Sequence, residues 1–229
     1  MPLFPLPLPS ALSITAIAIG ALALPAAQAA LLDQSFDATN GASSYAVVGP
    51  SPGQTLAQTF TAGMTGTLTS VSLMLDRQPS AAGPLTLSIL GTNAGVPLGT
   101  GATLFSQSFD ISGLPTTDFA YQFTDFDISA AGVQVVSGQV YAIALTRNSG
   151  SFLSQWVSWN ARTGASASYA GGALYAGDGD LVTSYSAAPD GDAGFKTFVE
   201  PAAAVPEPGP LALLSVGLIG LASTRRRRA

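Results

Sequence analysis

The 229-residue chain contains no cysteine and no histidine, has a single lysine, and gives only 9% of its positions to charged side chains. No disulfide can staple it, so stability has to come from packing or from a bound ion. Lacking both residues, it has no Ser-His-Asp or Cys-His nucleophile, no ordinary zinc site and no imidazole proton shuttle. Most hydrolase chemistry is thereby excluded, and the chain is not expected to be an enzyme. Between residues 30 and 200 the cations are Arg77, Arg147, Arg162 and Lys196, set against twelve carboxylates, a net of −8. A body this acidic repels phosphate, so nucleic acid is not an expected partner.

The body also lacks helix-period segments, and what it has instead is alternation. Leu85, Leu87 and Ile89 alternate with Thr86 and Ser88, Phe119, Tyr121 and Phe123 with Ala120 and Gln122, and Tyr141, Ile143 and Leu145 with Ala142 and Ala144. A period of two fits half-buried strands. Further strands are expected over residues 56–61, 67–75, 104–109, 133–136, 153–159, 168–175, 181–185 and 195–200. Turn chemistry separates them, at 79–84, Asn93-Ala94-Gly95, Gly113-Leu114-Pro115, Ser137-Gly138, Asn148-Ser149-Gly150 and two Asp-Gly-Asp triplets. Ten or so short strands predict an all-β fold, an antiparallel β-sandwich of jelly-roll type, over residues 30–200.

The two ends read as addresses. Residues 12–24 are apolar and lead into Pro25-Ala26-Ala27-Gln28-Ala29, a helix breaker with small residues at the spacing a signal peptidase reads, so residues 1–29 are expected to be a signal peptide. Residues 1–10 hold four prolines and no Lys or Arg, whereas a leader normally opens with positive charge. Either the start codon lies elsewhere or the free amino terminus supplies the charge. At the other end, a linker over 201–205 precedes Pro206, Glu207 and Pro208, an apolar run over 211–223, and the cluster Arg225, Arg226, Arg227 and Arg228. The apolar run has about a dozen residues where a comfortable transmembrane helix needs roughly 20, so it is a short membrane segment with a cytoplasmic charge stop.

This arrangement over residues 206–229 resembles the PEP-CTERM sorting signal. The resemblance implies recognition of Pro206-Glu207-Pro208 by an exosortase, stop-transfer by the four arginines, transient anchoring in the inner membrane, and release or transfer to the envelope of a bacterium that makes exopolysaccharide. More weakly, residues 56–63, 68–73, 140–143 and 195–200 look like the choice-of-anchor extracellular domains, which implies an exported β-sandwich and supplies no catalytic residue.

Two constellations in the body are candidate sites. Trp156, Trp159, Tyr169 and Tyr175, the last two flanking Gly171-Gly172, would form a sugar-stacking platform if exposed together, although Trp156 and Trp159 point to opposite faces of a regular strand and one belongs in the core. Asp178, Asp180, Asp190 and Asp192 sit on Asp-Gly-Asp turns, whose oxygens suit Ca²⁺, although no EF-hand pattern is present and Asp-Gly is first a turn signal. No other cofactor is implied. Asp125 and Asp127 would share one strand face about 7 Å apart, as turn or edge carboxylates do. The expected function is therefore an exported, non-enzymatic component of the envelope or extracellular matrix, with a lectin-like module as the alternative. Its partners would be signal peptidase, exosortase and extracellular polysaccharide.

Overall fold

Strand β4, Gly66–Arg77, shows how the alternation becomes architecture. Leu68 faces inward, Thr69 and Ser70 follow as two polar residues, and Val71, Leu73 and Leu75 resume the inward face. A bulge absorbs the extra residue: in the pairing with β15 (Phe195–Pro201), Leu68 faces Val199 and Ser70 faces Phe198. Without it every side chain beyond Leu68 would point to the wrong face.

The computed structural model describes residues 28–39, 43–47, 54–116, 120–147, 155–163, 169–178, 186–187 and 191–202. These belong to a compact unit, Gln28–Ala204, built as two antiparallel sheets packed face to face. The first sheet places β4 beside β15, with β1 (Leu31–Phe36) outside β15. On the other edge of β4 lie β8 (Phe123–Asp127) and β9 (Val133–Val135). The second sheet runs β13 (Ser186–Ala187), β12 (Leu174–Asp178), β3 (Gln54–Thr61), β10 (Val140–Thr146), β5 (Pro84–Asn93), with β6 (Val96–Pro97) and β7 (Thr103–Asp110) on β5. The chain changes sheet between β3 and β4, β4 and β5, β7 and β8, and β9 and β10, so both faces of the core are laid down together. Phe60, Leu73, Leu87, Ile143, Trp159 and Phe195 fill the space between the sheets, all fully buried.

One joint in the first sheet is irregular. Strand β11 (Val157–Thr163) pairs with β4 from Val157 opposite Arg77 to Trp159 opposite Leu75, then departs from it. Into the gap comes β14 (Gly191–Ala193), which pairs with β11, turns at Gly194 and continues as β15 along β4. Gly194 is the apex of this wedge: its N–H donates to the Asn160 carbonyl at 2.8 Å, and its own carbonyl accepts the Met74 N–H at 3.1 Å and the Trp159 indole N–H at 2.9 Å. A Cβ there would lie 2.6 Å from the Met74 sulfur, which explains glycine at the apex. The wedge is tied across the core by Gln58 of β3, whose amide donates to Asp192 Oδ1 and accepts the Ala193 N–H, both at 2.8 Å.

Some sequence expectations need correction. Tyr121 is not part of a strand; it has a φ of 48°, and β8 starts at Phe123. The strand expected over 168–175 is a turn at Tyr169–Gly172 followed by β12, because Gly172 packs so tightly on Thr59 that a Cβ would sit 1.9 Å from its carbonyl oxygen. Strands β1 and β2 (Ser43–Val47) were not anticipated, since Leu31-Leu32-Asp33-Gln34-Ser35-Phe36 shows no clean alternation. Residues 1–27 and 203–229, and with them the leader's apolar run, Pro206, Glu207, Pro208 and the arginine cluster, lie outside the described residues. Among the described residues no helix is long and apolar enough to cross a membrane.

Two substitutions probe this architecture. The β5–β6 hairpin turns through Ala94 and Gly95 at φ 49° and 81°, so Ala94 occupies a left-handed position that Asn accepts more readily. Ala94→Asn is expected to stabilise the protein by about 0.5–1 kcal/mol in urea unfolding. Asp192→Ala strands the buried Gln58 amide and the Tyr169 N–H, and is expected to cost about 1–3 kcal/mol in the same measurement.

Candidate functional site

The aromatic residues expected to form a platform are not brought together. Trp159 is fully buried and its indole N–H is bonded within the core. Tyr169 packs edge-on against Phe195, with ring centroids 5.1 Å apart, and its hydroxyl donates to Gln34 Oε1 at 2.7 Å. Burial pushes its pKa up to about 12, and the glycine pair beside it serves this inward fold of the turn. Tyr175 lies on the outer face of the second sheet, against Ala57, Leu90, Ala142 and Ala144. Trp156 is half-exposed, and its carbonyl accepts the Gln78 N–H at 3.1 Å.

The acidic turns do not converge either. Asp192 is buried, with Oδ1 on Gln58 and Oδ2 accepting the Tyr169 N–H at 2.7 Å, so its oxygens serve the fold. Asp178 ends β12; its side chain, together with Asp180 and Asp190, lies outside the described residues. Among the described residues no three acidic side chains are grouped to hold a metal ion. Asp125 is exposed and accepts the Ser72 hydroxyl, while Asp127 accepts the Ser129 N–H at 2.9 Å and caps a turn.

What the structure does assemble is a polar cleft at the sandwich mouth, built by two arginines. Strand β4 ends Leu75-Asp76-Arg77 and β10 runs out as Leu145-Thr146-Arg147, so a period of two puts both guanidinium groups on the core-facing register of opposed sheets. Both grip the 78–83 loop. Arg77 donates through Nη1 to the carbonyls of Pro79 and Ala81, each at 3.2 Å, and through Nη2 to Ser112 at 3.3 Å. Arg147, only 3% exposed, donates through Nη2 to Ala82 at 2.8 Å and through Nη1 to Gln155 at 2.6 Å. Burial pulls its pKa down, and the Nε of each arginine is buried without a hydrogen-bond partner.

Facing the loop, Asp110 accepts the Ser112 N–H at 3.0 Å and the Ser112 hydroxyl at 2.6 Å. These bonds, the hydroxyl first, hold its carboxyl below the usual range, with the Arg77 charge adding to the effect. The cleft between Arg77, the loop and Asp110 has a volume of about 310 Å³, and Asp110 and Ile111 also border an apolar pocket of about 100 Å³ floored by Leu85, Phe109 and Phe126. A fixed acceptor, a guanidinium donor and an adjoining apolar wall can hydrogen-bond a hydroxylated ligand and cover one of its faces. In the sequence alone these arginines stand out only as charge. Their signal was an arginine in the inward register at the end of two apolar strands.

Comparison with known proteins concerns the tail. Residues 204–228 match the PEP-CTERM protein-sorting motif. No curated protein matches the chain, and the choice-of-anchor likeness of the body has no counterpart in these comparisons. The PEP-CTERM motif implies export, membrane anchoring followed by processing, and an exosortase as partner.

Buried carboxylates give this body an unusual pH response. Burial raises the pKa of Asp33 and Asp192 above the ordinary 3.8, so folding favours their protonated forms: they stabilise as pH falls through the raised values and destabilise as it rises through them. Asp37 is shifted down by the Thr39 hydroxyl and N–H, and its contribution is lost on acidification below its ordinary value. Urea midpoints are expected to rise as pH falls from neutrality through the raised values and to fall again below the ordinary carboxylate range, and Asp33→Asn should flatten the first slope.

Proposed function

We propose that the mature protein is a non-enzymatic component of the cell envelope or extracellular polysaccharide matrix, and that it engages polysaccharide through the Arg77–Asp110 cleft. The observation that carries this reading is the sorting motif at residues 204–228, which supports export and delivery beyond the cytoplasm. Composition adds support. A body with few cations offers polyanions little attraction, while Ser and Thr on the strand faces and the cleft's mixed donor and acceptor suit sugar hydroxyls. Glycosidase chemistry fits poorly. It needs a carboxyl kept protonated beside a second carboxylate, whereas Asp110 is held ionised and no other carboxylate lines the cleft among the described residues.

Co-sedimentation of the mature chain with the producing organism's exopolysaccharide, with calcium and then with a chelator, tests the binding half. Saturable binding weakened about 5- to 10-fold in Asp110→Asn supports the cleft, the scale of one ordinary hydrogen bond. Binding unaffected by Asp110→Asn would place the contact elsewhere; loss under chelator alone would make it calcium-dependent; no binding would leave a purely structural body. The sorting half is tested by Glu207→Ala, which should accumulate unprocessed precursor on an immunoblot, and normal processing of that variant would sink it.

A further inference from the structure

The body has two unlike ends. Arg77, Arg147, Trp156 and the cleft lie at one. At the other, β3 ends at Thr61, β4 starts at Gly66, β9 ends at Val135, β10 starts at Val140, and the β5–β6 hairpin turns. Both termini of the described body are here too: β1 begins at Leu31, opposite Val199, and β15 ends at Pro201, opposite Gly66. Ala202, two residues before the matched sorting motif, is held by its N–H on the Thr65 carbonyl at 3.0 Å.

The large hydrophobic side chains that are exposed among the described residues are Leu31, Leu32, Val96, Leu98, Leu104 and Val136, each 40% to 53% accessible. All six belong to this end. Leu31 and Leu32 open β1, Val136 follows β9, Val96 faces Asn93 in the hairpin, Leu98 donates its N–H to the Gly91 carbonyl at 3.1 Å, and Leu104 sits next to Thr103, which pairs with Leu90. From the level of Leu90 to that of Asn93 is about 10 Å along the strand, comparable to the roughly 5–10 Å depth at which apolar side chains sit in a membrane interface. The cations of the body are elsewhere: Lys196 lies mid-sheet opposite Ser72, and Arg162 faces Asp192. Glu200 is at this end, and Asp33 turns its carboxylate onto the Gly63 N–H.

We infer that this apolar rim is a lipid-facing surface: while the chain is anchored, Leu31, Leu32, Val96, Leu98, Leu104 and Val136 dip into the membrane interface, and the arginine-built cleft points away from it. The inference rests on the membrane-anchored reading of the sorting motif. The occupant is a lipid surface because the described body ends here, at Ala202, only four residues of chain before Pro206 and the apolar run that follows it in sequence. Attraction is apolar, so zwitterionic lipid suffices and salt has little effect.

The absence of cysteine gives a clean test. Leu32→Cys, Leu98→Cys, Val136→Cys and, at the opposite end, Ser80→Cys are each introduced into the full chain, labelled with a nitroxide, and reconstituted with vesicles of phosphatidylcholine and phosphatidylethanolamine. Labels at the first three positions are expected to collide about 3- to 10-fold less with a water-soluble nickel chelate, and more with oxygen, than the label at Ser80. Flotation with the vesicles but equal accessibility at all four positions overturns the inference and leaves the anchoring intact. Dipolar broadening between labels on separate molecules overturns it in favour of a contact between copies. Failure to float with the vesicles overturns both the inference and the anchoring.

Discussion

The wedge at Gly194 is the constraint on which the sandwich rests. Strands β4 and β11 pair at one end and part company after Leu75 and Trp159, and only a chain that turns sharply between them can satisfy both exposed edges. Gly194 makes that turn, and three hydrogen bonds converge on its backbone, one from the Trp159 indole. The largest side chain in the core is thereby fixed by its polar atom as well as by its packing. Gln58 then fastens the wedge to the facing sheet through Asp192 and Ala193, so sheet spacing, ring packing and the turn carrying Tyr169 share one buried polar network. Such networks are favourable only when nearly every atom is paired, and the raised pKa of Asp192 records the desolvation this one carries.

The same connectivity polarises the molecule. Because the chain crosses between the sheets repeatedly, its connections collect at two ends, and their composition differs. At the end where the chain enters and leaves, short links between 62–65 and 136–139 bond to one another, with the Gly138 N–H on Ala62 and the Ser137 hydroxyl on Gly63, leaving apolar side chains at the rim. At the other end, the Pro79–Pro84 connection is wrapped around guanidinium groups. Two of the body's four cations are buried or half-buried there, holding carbonyls.

Much of the fold was legible because a half-buried strand writes itself as alternation. Strands β3, β4, β5, β10 and β15 carry inward residues at every second position over five or more residues, and their existence follows from period alone. Strands β1 and β2 were not legible, because edge positions bury too little to enforce a pattern. The turn at Tyr169 was misread as a strand because its glycines are needed for a close approach to Thr59 that only the folded chain reveals. The candidate site was least legible. The rings and acidic turns that attracted attention are ones a core or a turn also uses, whereas Arg77 and Arg147 are separated by seventy residues and meet only when their strands face each other.

By itself the sequence determined the class of the fold and the destination of the protein: alternation commits the backbone to sheets, and the sorting motif is read as a linear string that needs no folded neighbours. It also determined that the protein has no cysteine thiol and no histidine imidazole. Only the tertiary structure decided which tryptophan is buried, which carboxylates titrate abnormally, where the cations go and which end is apolar. Those properties belong to residues distant in the chain, and burial, field and exposure exist only between groups that folding has brought together.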